Sequence, residues 1–177
     1  MKSLNKLFVV LFLFLLAACG TTMHGDREPE PELYYDSLDF YDSLLTEMAY
    51  SPDQRKLIDY GRTLLGKRYN LGGATPDNGF DCSGFTKYVY AKALALRLPR
   101  TAREMAASGR PVYATQDLIA GDLVFFNLLG YDYSHVGIYI GNGRFFHAST
   151  NKGVIVIGNM KNEYFAKRYN SARRVLS

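Results

Sequence analysis

The apolar positions change period several times along the chain. Leu7 to Ala17 is an unbroken apolar run, preceded by Lys2 and Lys6 and followed by Ala18-Cys19. The run is too short to span a bilayer comfortably, and its positive start and small-residue end mark an export signal over residues 1–18. Residues 19–50 are acidic, with Asp26, Glu28, Glu30, Glu32, Asp36, Asp39, Asp42 and Glu47 around Pro29 and Pro31, so this stretch reads as a tether. Within it Leu38, Tyr41, Leu44, Leu45 and Met48 recur at helical spacing, which allows a docked helix over residues 33–48.

From residue 51 to 177 the pattern is that of a folded domain. Ser51-Pro52-Asp53-Gln54 carries the marks of a capping box, and Leu57, Ile58 and Leu64 follow at helical intervals with Gly66 as a stop. Loop chemistry fills Tyr69 to Gly79. A second helix is expected from Cys82 to about Leu96, burying Phe85, Val89, Ala93 and Leu96. Thr101 and Glu104 form another capping box, opening a short helix that Gly109 ends. The period then shortens. Asp122–Phe126, Ser134–Ile140, Arg144–Ser149, Val154–Gly158 and Ser171–Leu176 are rich in β-branched and aromatic residues, punctuated by Gly and Asn. Helices first and strands second predict an α+β domain, with an antiparallel meander packed against the N-terminal helices.

Composition narrows the function classes. The 177 residues suffice for one domain with a core, and 47% hydrophobic with 21% charged residues excludes general disorder. Formal charge is +4, falling to +2 without Lys2 and Lys6, and no basic run exceeds two residues. Nucleic-acid binding, which needs a clustered basic face, is not supported.

The placement of Cys19 after Leu16-Ala17-Ala18 resembles a bacterial lipobox. The resemblance implies cleavage before Cys19 and lipidation of its sulfur and amine, with several acyl chains anchoring the protein to a membrane. In a Gram-negative envelope, Gly20 in place of an aspartate after the cysteine would imply transit to the outer membrane, with the domain facing the periplasm. With Cys19 acylated, Cys82 is the sole free thiol of an exported protein and cannot form an intramolecular disulfide.

Cys82 follows Asp81 at the expected start of a helix, where unsatisfied N–H groups and a partial positive charge would favour thiolate. The candidate bases are His135 and His147, on the two arms of an expected hairpin around Gly141-Asn142-Gly143. A two-residue Asn-Gly loop would put the imidazoles on opposite faces. A three-residue loop with Gly143 left-handed pairs His147 with Gly137, sets His135 diagonally across on the same face, and uses the missing side chain of Gly137 as room for their contact. Catalysis requires the second geometry, and that is the expectation. His135 would then take the Cys82 proton, while His147 orients His135 and supports its charged form. Two ordinary strand histidines and a buried structural cysteine are the plainer alternative. A zinc site from Cys82, His135 and His147 would lack standard spacing and a fourth ligand, so no metal or other cofactor is expected.

Tyr69-Asn70-Leu71-Gly72-Gly73 and Gly79-Phe80-Asp81-Cys82-Ser83-Gly84-Phe85 resemble the nucleophile region of NlpC/P60 peptidases. Leu98-Pro99-Arg100-Thr101, Gly121-Asp122-Leu123-Val124-Phe125-Phe126, Ser134 to Gly141 and Phe146-His147-Ala148 resemble the same family in the same order, over about residues 51–177. With the lipobox, the likeness is to the Spr-type lipoprotein endopeptidases. It implies a papain-like fold, hydrolysis of an amide in peptidoglycan stem peptides, and Cys82, His135 and His147 as nucleophile, base and third member. Tyr69 would contribute to an oxyanion site with the Cys82 N–H; Asp81, Ser83 and Ser134 would shape the substrate groove, Asp81 equally serving as a helix cap. Leu71 stands where many members carry tryptophan, a residue this chain lacks. Either the D-glutamyl–diaminopimelate bond or the D-alanyl–diaminopimelate cross-link could be the target. An amidase or acyltransferase on the same fold, or an idle lipoprotein scaffold that binds wall peptides, would use the same architecture. Oligomeric state is not indicated by the sequence.

Overall fold

The computed structural model describes residues 49–176. The export signal, Cys19 and the possible helix over residues 33–48 lie outside the described residues. The first helix, α1 (Pro52–Arg62), starts at the expected capping box: Ser51 Oγ accepts the Gln54 N–H and Gln54 Oε1 accepts the Ser51 N–H at 2.8 Å. Its apolar face buries Leu57 and Ile58 completely or nearly so. Two short strands, β1 (Ala74–Thr75) and β2 (Gly79–Phe80), fold the glycine-rich loop into a miniature antiparallel hairpin. Then come α2 (Cys82–Leu94), ended by Ala95 in the left-handed conformation, and α3 (Ala102–Ala106), opened by the Thr101–Glu104 capping box.

The remainder is one six-stranded sheet. Its strands are β3 (Arg110–Val112), β4 (Leu123–Phe126), β5 (His135–Gly141), β6 (Arg144–Ala148), β7 (Ile155–Asn159) and β8 (Tyr169–Arg174), with α4 (Glu163–Ala166) before the last. All pairings are antiparallel, in the spatial order β3-β8-β4-β5-β6-β7. The expected meander holds from β4 to β7, whereas β8 crosses back to pair with the free edge of β4. Strand β3 adds to β8 on that side. Arg110-Pro111-Val112 offers only one β-branched residue and a proline, a pattern that an edge strand tolerates and a periodicity argument passes over.

Both faces of the central strands are covered, which explains why β4 and β5 read as continuous apolar runs. On one face Leu123, Phe125, Val136, Ile138 and Phe146 pack against Leu57 and Ile58 of α1 and Phe85 and Val89 of α2. On the other, Val124, Phe126, Tyr139, Phe145 and Ala172 gather around Phe165 of α4. The Tyr90 hydroxyl bonds the buried Gly121 carbonyl and ties α2 to the entry of β4.

Asp122, almost fully buried, is held at that entry by Arg174, whose Nε and Nη2 donate to its two oxygens at 2.8 Å each. The Ile119 N–H adds a third bond at 2.9 Å. A carboxylate removed from water needs this many partners, and removing one ion of such a pair costs about 3–5 kcal/mol.

The β5–β6 hairpin departs from both simple loops. Ile138 pairs Phe146 and Tyr139 pairs Phe145, which is the register expected of a three-residue loop. At the tip, however, Gly141 pairs Arg144, so the loop is the two residues Asn142-Gly143, both at positive φ. The two registers are reconciled by a bulge at Ile140, which has no partner across the ladder. The Tyr50 hydroxyl donates to the Ile140 carbonyl at 2.9 Å and satisfies the group that the bulge leaves out. The Tyr139 hydroxyl accepts the Gly143 N–H at 3.0 Å and braces the turn.

Asp122→Ala is expected to destabilise the fold by about 3–5 kcal/mol, and Tyr50→Phe by about 1 kcal/mol, read as shifts in urea midpoint at constant slope. Equal effects from the two would contradict this ranking of the buried ion pair over the bulge hydrogen bond.

Candidate active site

The site forms where the N-terminus of α2 meets the start of β5. A cleft of about 720 Å³ there is lined by Tyr69, Asp81, Cys82, Ser83, Ser134 and His135 among others. Six of the seven expected domain residues therefore share one cavity wall. The seventh, His147, is fully buried on β6 and reaches His135 from behind. His135 Nε2 and His147 Nδ1 are 3.0 Å apart, with the rings nearly perpendicular at 81°.

The same-face placement follows from the register set by the Ile140 bulge. Gly137 has a different use from the one expected. A Cβ there would lie 2.5 Å from the Phe145 ring and 2.8 Å from the Phe146 carbonyl oxygen, so the space admits Phe145 and not the imidazoles. Phe145 in turn lies 5.0 Å from the His147 ring, and Phe165 closes another side at 5.5 Å, both between centroids. The second histidine is clamped in an aromatic box that leaves its ring little freedom to turn.

Cys82 is placed by the helix cap. Asp81 Oδ1 accepts the Gly84 N–H at 2.6 Å, capping α2, while Oδ2 accepts the Gly72 N–H at 3.0 Å and draws the glycine-rich loop onto the helix end. Gly84 permits that approach, since a Cβ at this position would sit 2.1 Å from the Gly73 carbonyl oxygen. Arg100 completes the cluster, donating Nη1 to Asp81 Oδ1 at 3.1 Å, Nη2 to Oδ2 at 2.7 Å, and Nη1 to Ser83 Oγ at 2.9 Å. Burial alone would raise the Asp81 carboxyl, but the Arg100 and Gly84 hydrogen bonds, the Arg100 charge and Ser83 hold it below the usual carboxylate range. Arg100 is a site residue that sequence reasoning misses. The signal lies in Leu98-Pro99-Arg100-Thr101, but nothing local says which acid the guanidinium meets nineteen positions away.

Ser134 is engaged in a way that the sequence does not reveal. Its hydroxyl accepts the Leu128 and Leu129 N–H groups at 2.9 and 3.2 Å and donates to the Phe126 carbonyl at 3.3 Å. It thereby pins the β4–β5 loop, which brings Leu129, Tyr131 and Tyr133 to the cleft wall.

The electrostatics correct one expectation. Burial pushes the Cys82 thiol above its ordinary value; the Val136 N–H opposes this, the Asp81 charge adds to it, and the Ser83 and Cys82 N–H groups oppose it. Burial outweighs the helix terminus, and Asp81, which engages the Gly84 N–H there, adds a negative charge beside the sulfur. His135 is shifted the other way, well below the usual histidine range, by burial first and by His147 second. Burial, then the nearness of Cys82 and Asp81, raises the Tyr69 phenol, which stays protonated as a donor. The Cys82 and His135 shifts both favour the uncharged forms, thiol and neutral imidazole. Among the described residues, no three His, Cys, Asp or Glu side chains are grouped to hold a metal ion.

A helix-borne cysteine facing a strand-borne histidine across a cleft, with a second histidine behind, is the arrangement of a papain-like thiol hydrolase. The NlpC/P60 family profile matches residues 66–174, and the chain belongs to that family. It is 47% identical over 171 residues to the murein DD-endopeptidase MepS/murein LD-carboxypeptidase of Escherichia coli K12, covering 92% of this chain and 87% of that one. It is 40% identical over 116 residues to the murein DD-endopeptidase MepH of the same organism, covering 64% and 42%. The fold is similar to the crystal structure of an NLP/P60-family protein, described as similar to lipoprotein, from Staphylococcus aureus. The TM-score is 0.64 at 30% identity, over 78% of this chain and 49% of that one.

Alkylation of Cys82 by iodoacetamide is expected to rise with pH through a midpoint above the ordinary thiol value of about 8.5. A plateau of reactivity from about pH 5 to 8, the signature of a pre-formed thiolate–imidazolium pair, would contradict a resting state of thiol and neutral imidazole.

Proposed function

We propose that this protein is a peptidoglycan endopeptidase of the cell envelope that cuts the D-alanyl–diaminopimelate cross-link between stem peptides by thiol catalysis. The observation that supports it most is the Cys82–His135–His147 geometry in a chain 47% identical, over 92% of its length, to a relative named as a murein DD-endopeptidase. The lipobox supports attachment through lipid on Cys19, with residues 19–50 as the tether that lets the domain reach the wall.

The roles follow from the atoms. In the tautomer of His135 protonated on Nε2, that N–H donates to His147 Nδ1 and His135 Nδ1 is the basic nitrogen for the Cys82 proton. As that proton moves, the sulfur attacks the carbonyl carbon of the scissile amide and the carbonyl oxygen becomes an oxyanion. The Cys82 N–H and the Tyr69 hydroxyl are the donors for it. Collapse of the tetrahedral intermediate breaks the C–N bond, and the His135 imidazolium gives its proton to the leaving amine. Water, deprotonated by His135, then attacks the thioester, releasing the new carboxylic acid and restoring the thiol. A base with a depressed pKa stays neutral well into the acid range, so it remains competent where an ordinary histidine would be protonated.

Muropeptide dimers incubated with the purified protein and analysed by mass spectrometry provide the test. Monomers should form with the unmodified protein and not with Cys82→Ala. His135→Asn should lower kcat by about 10²- to 10⁴-fold. Dimers left intact by every form, or cleavage that survives Cys82→Ala, would overturn the proposal.

A further inference from the structure

The rim of the cleft differs from the rest of the surface in both polarity and charge. Five large hydrophobic side chains are exposed among the described residues, and three of them, Leu71, Leu129 and Tyr131, edge this cleft. Three charged side chains line it: Asp81, Arg100 and Arg103. The first two neutralise each other in the 2.7 Å ion pair. Arg103 has no carboxylate partner among the described residues. Its sequence neighbour Glu104 is turned back onto Thr101, accepting its N–H at 3.0 Å and its hydroxyl at 2.8 Å. Among the described residues the cleft therefore carries one positive charge without a carboxylate partner.

That charge is also oriented. The Arg103 guanidinium carbon lies 5.7 Å from the centre of the Tyr131 ring. Tyr131 stands on the β4–β5 loop, whose Leu128 and Leu129 N–H groups are held by the Ser134 hydroxyl. A guanidinium held against an aromatic ring loses little freedom on meeting a ligand and keeps its N–H fork for a planar acceptor.

Resting on the peptidase reading above, we infer that Arg103 is a specificity-determining residue that binds a free carboxylate of the stem peptide beside the scissile amide. Stem peptides present such a group on the D-glutamyl residue and on diaminopimelate, and amidation removes the charge from either. The ligand chemistry is the same in both cases: a planar anion at the cleft mouth, flanked by apolar contacts from Leu71 and Leu129. The contact is present before and during the reaction, so it acts on KM more than on kcat.

The test is steady-state cleavage of defined muropeptide dimers by the full protein in detergent. The dimers are prepared as free acids, with the diaminopimelate amidated, or with the D-glutamyl carboxylate amidated. The expected result is that one amidation raises KM by roughly tenfold, the size of one charge-assisted hydrogen bond, while kcat holds. Arg103→Gln should raise KM for the free acid by a similar factor and lose nothing more on that same amidation; Arg103→Lys should fall between. Whichever amidation is felt identifies the carboxylate. If the unmodified protein cleaves all three dimers equally, or if Arg103→Gln keeps the full penalty for amidation, the inference fails while the peptidase reading stands. No turnover of any dimer by the unmodified protein would remove the peptidase reading and this inference with it.

Discussion

The 3.0 Å approach of His135 Nε2 to His147 Nδ1 exists because one residue, Ile140, is left out of the β5–β6 ladder. Side chains alternate along a strand, so a hairpin closed tightly on Asn142-Gly143 without that bulge would send the two imidazoles to opposite faces. The bulge shifts the register by one and restores them to the same face. Its stranded carbonyl is met by Tyr50, a residue ninety positions earlier in the chain, just ahead of α1. The pairing of catalytic candidates is thus coupled to how the N-terminal helix docks on the sheet.

The cysteine depends on a different constraint. Asp81 does three jobs with two oxygens: it caps α2, draws in the Gly72 loop and binds Arg100. This fixes the start of the helix that carries the sulfur, while burial first and the Asp81 charge in addition raise the thiol pKa. His135 is shifted down by the same cause, so burial favours the uncharged form of each group and opposes proton transfer between them. Burial is the largest influence on both groups.

Much of the fold is legible in the residues taken in order. Both capping boxes start helices where expected, and Cys82 opens its helix. The four meander strands lie within a residue or two of their anticipated bounds. What local pattern does not carry is non-local. The return of β8 to the free edge of β4, the edge strand at Arg110–Val112, and the Arg100–Asp81 pair all join positions whose local patterns say nothing of each other. The hairpin shows the limit most clearly. The register expected for His135 and His147 is the one observed, but the expected loop has three residues. The structure reaches the same register with a two-residue loop and a bulge, two solutions that Gly141-Asn142-Gly143 can serve equally well. Ser134 and Gly137 stand out in the sequence for their nearness to the chemistry. Their contacts hold a loop and admit a phenyl ring.

The central claim, a neutral His135 held by His147, is tested most directly by the charge state and tautomer of the histidine pair. Long-range ¹H–¹⁵N correlation spectra of the side chains, recorded on the unmodified protein across pH, report both. His135 should be neutral, protonated on Nε2 and bonded to His147, at pH 7 and on down below the ordinary histidine value of about 6.5. An imidazolium at His135 at pH 7, or a neutral ring protonated on Nδ1, would contradict that claim.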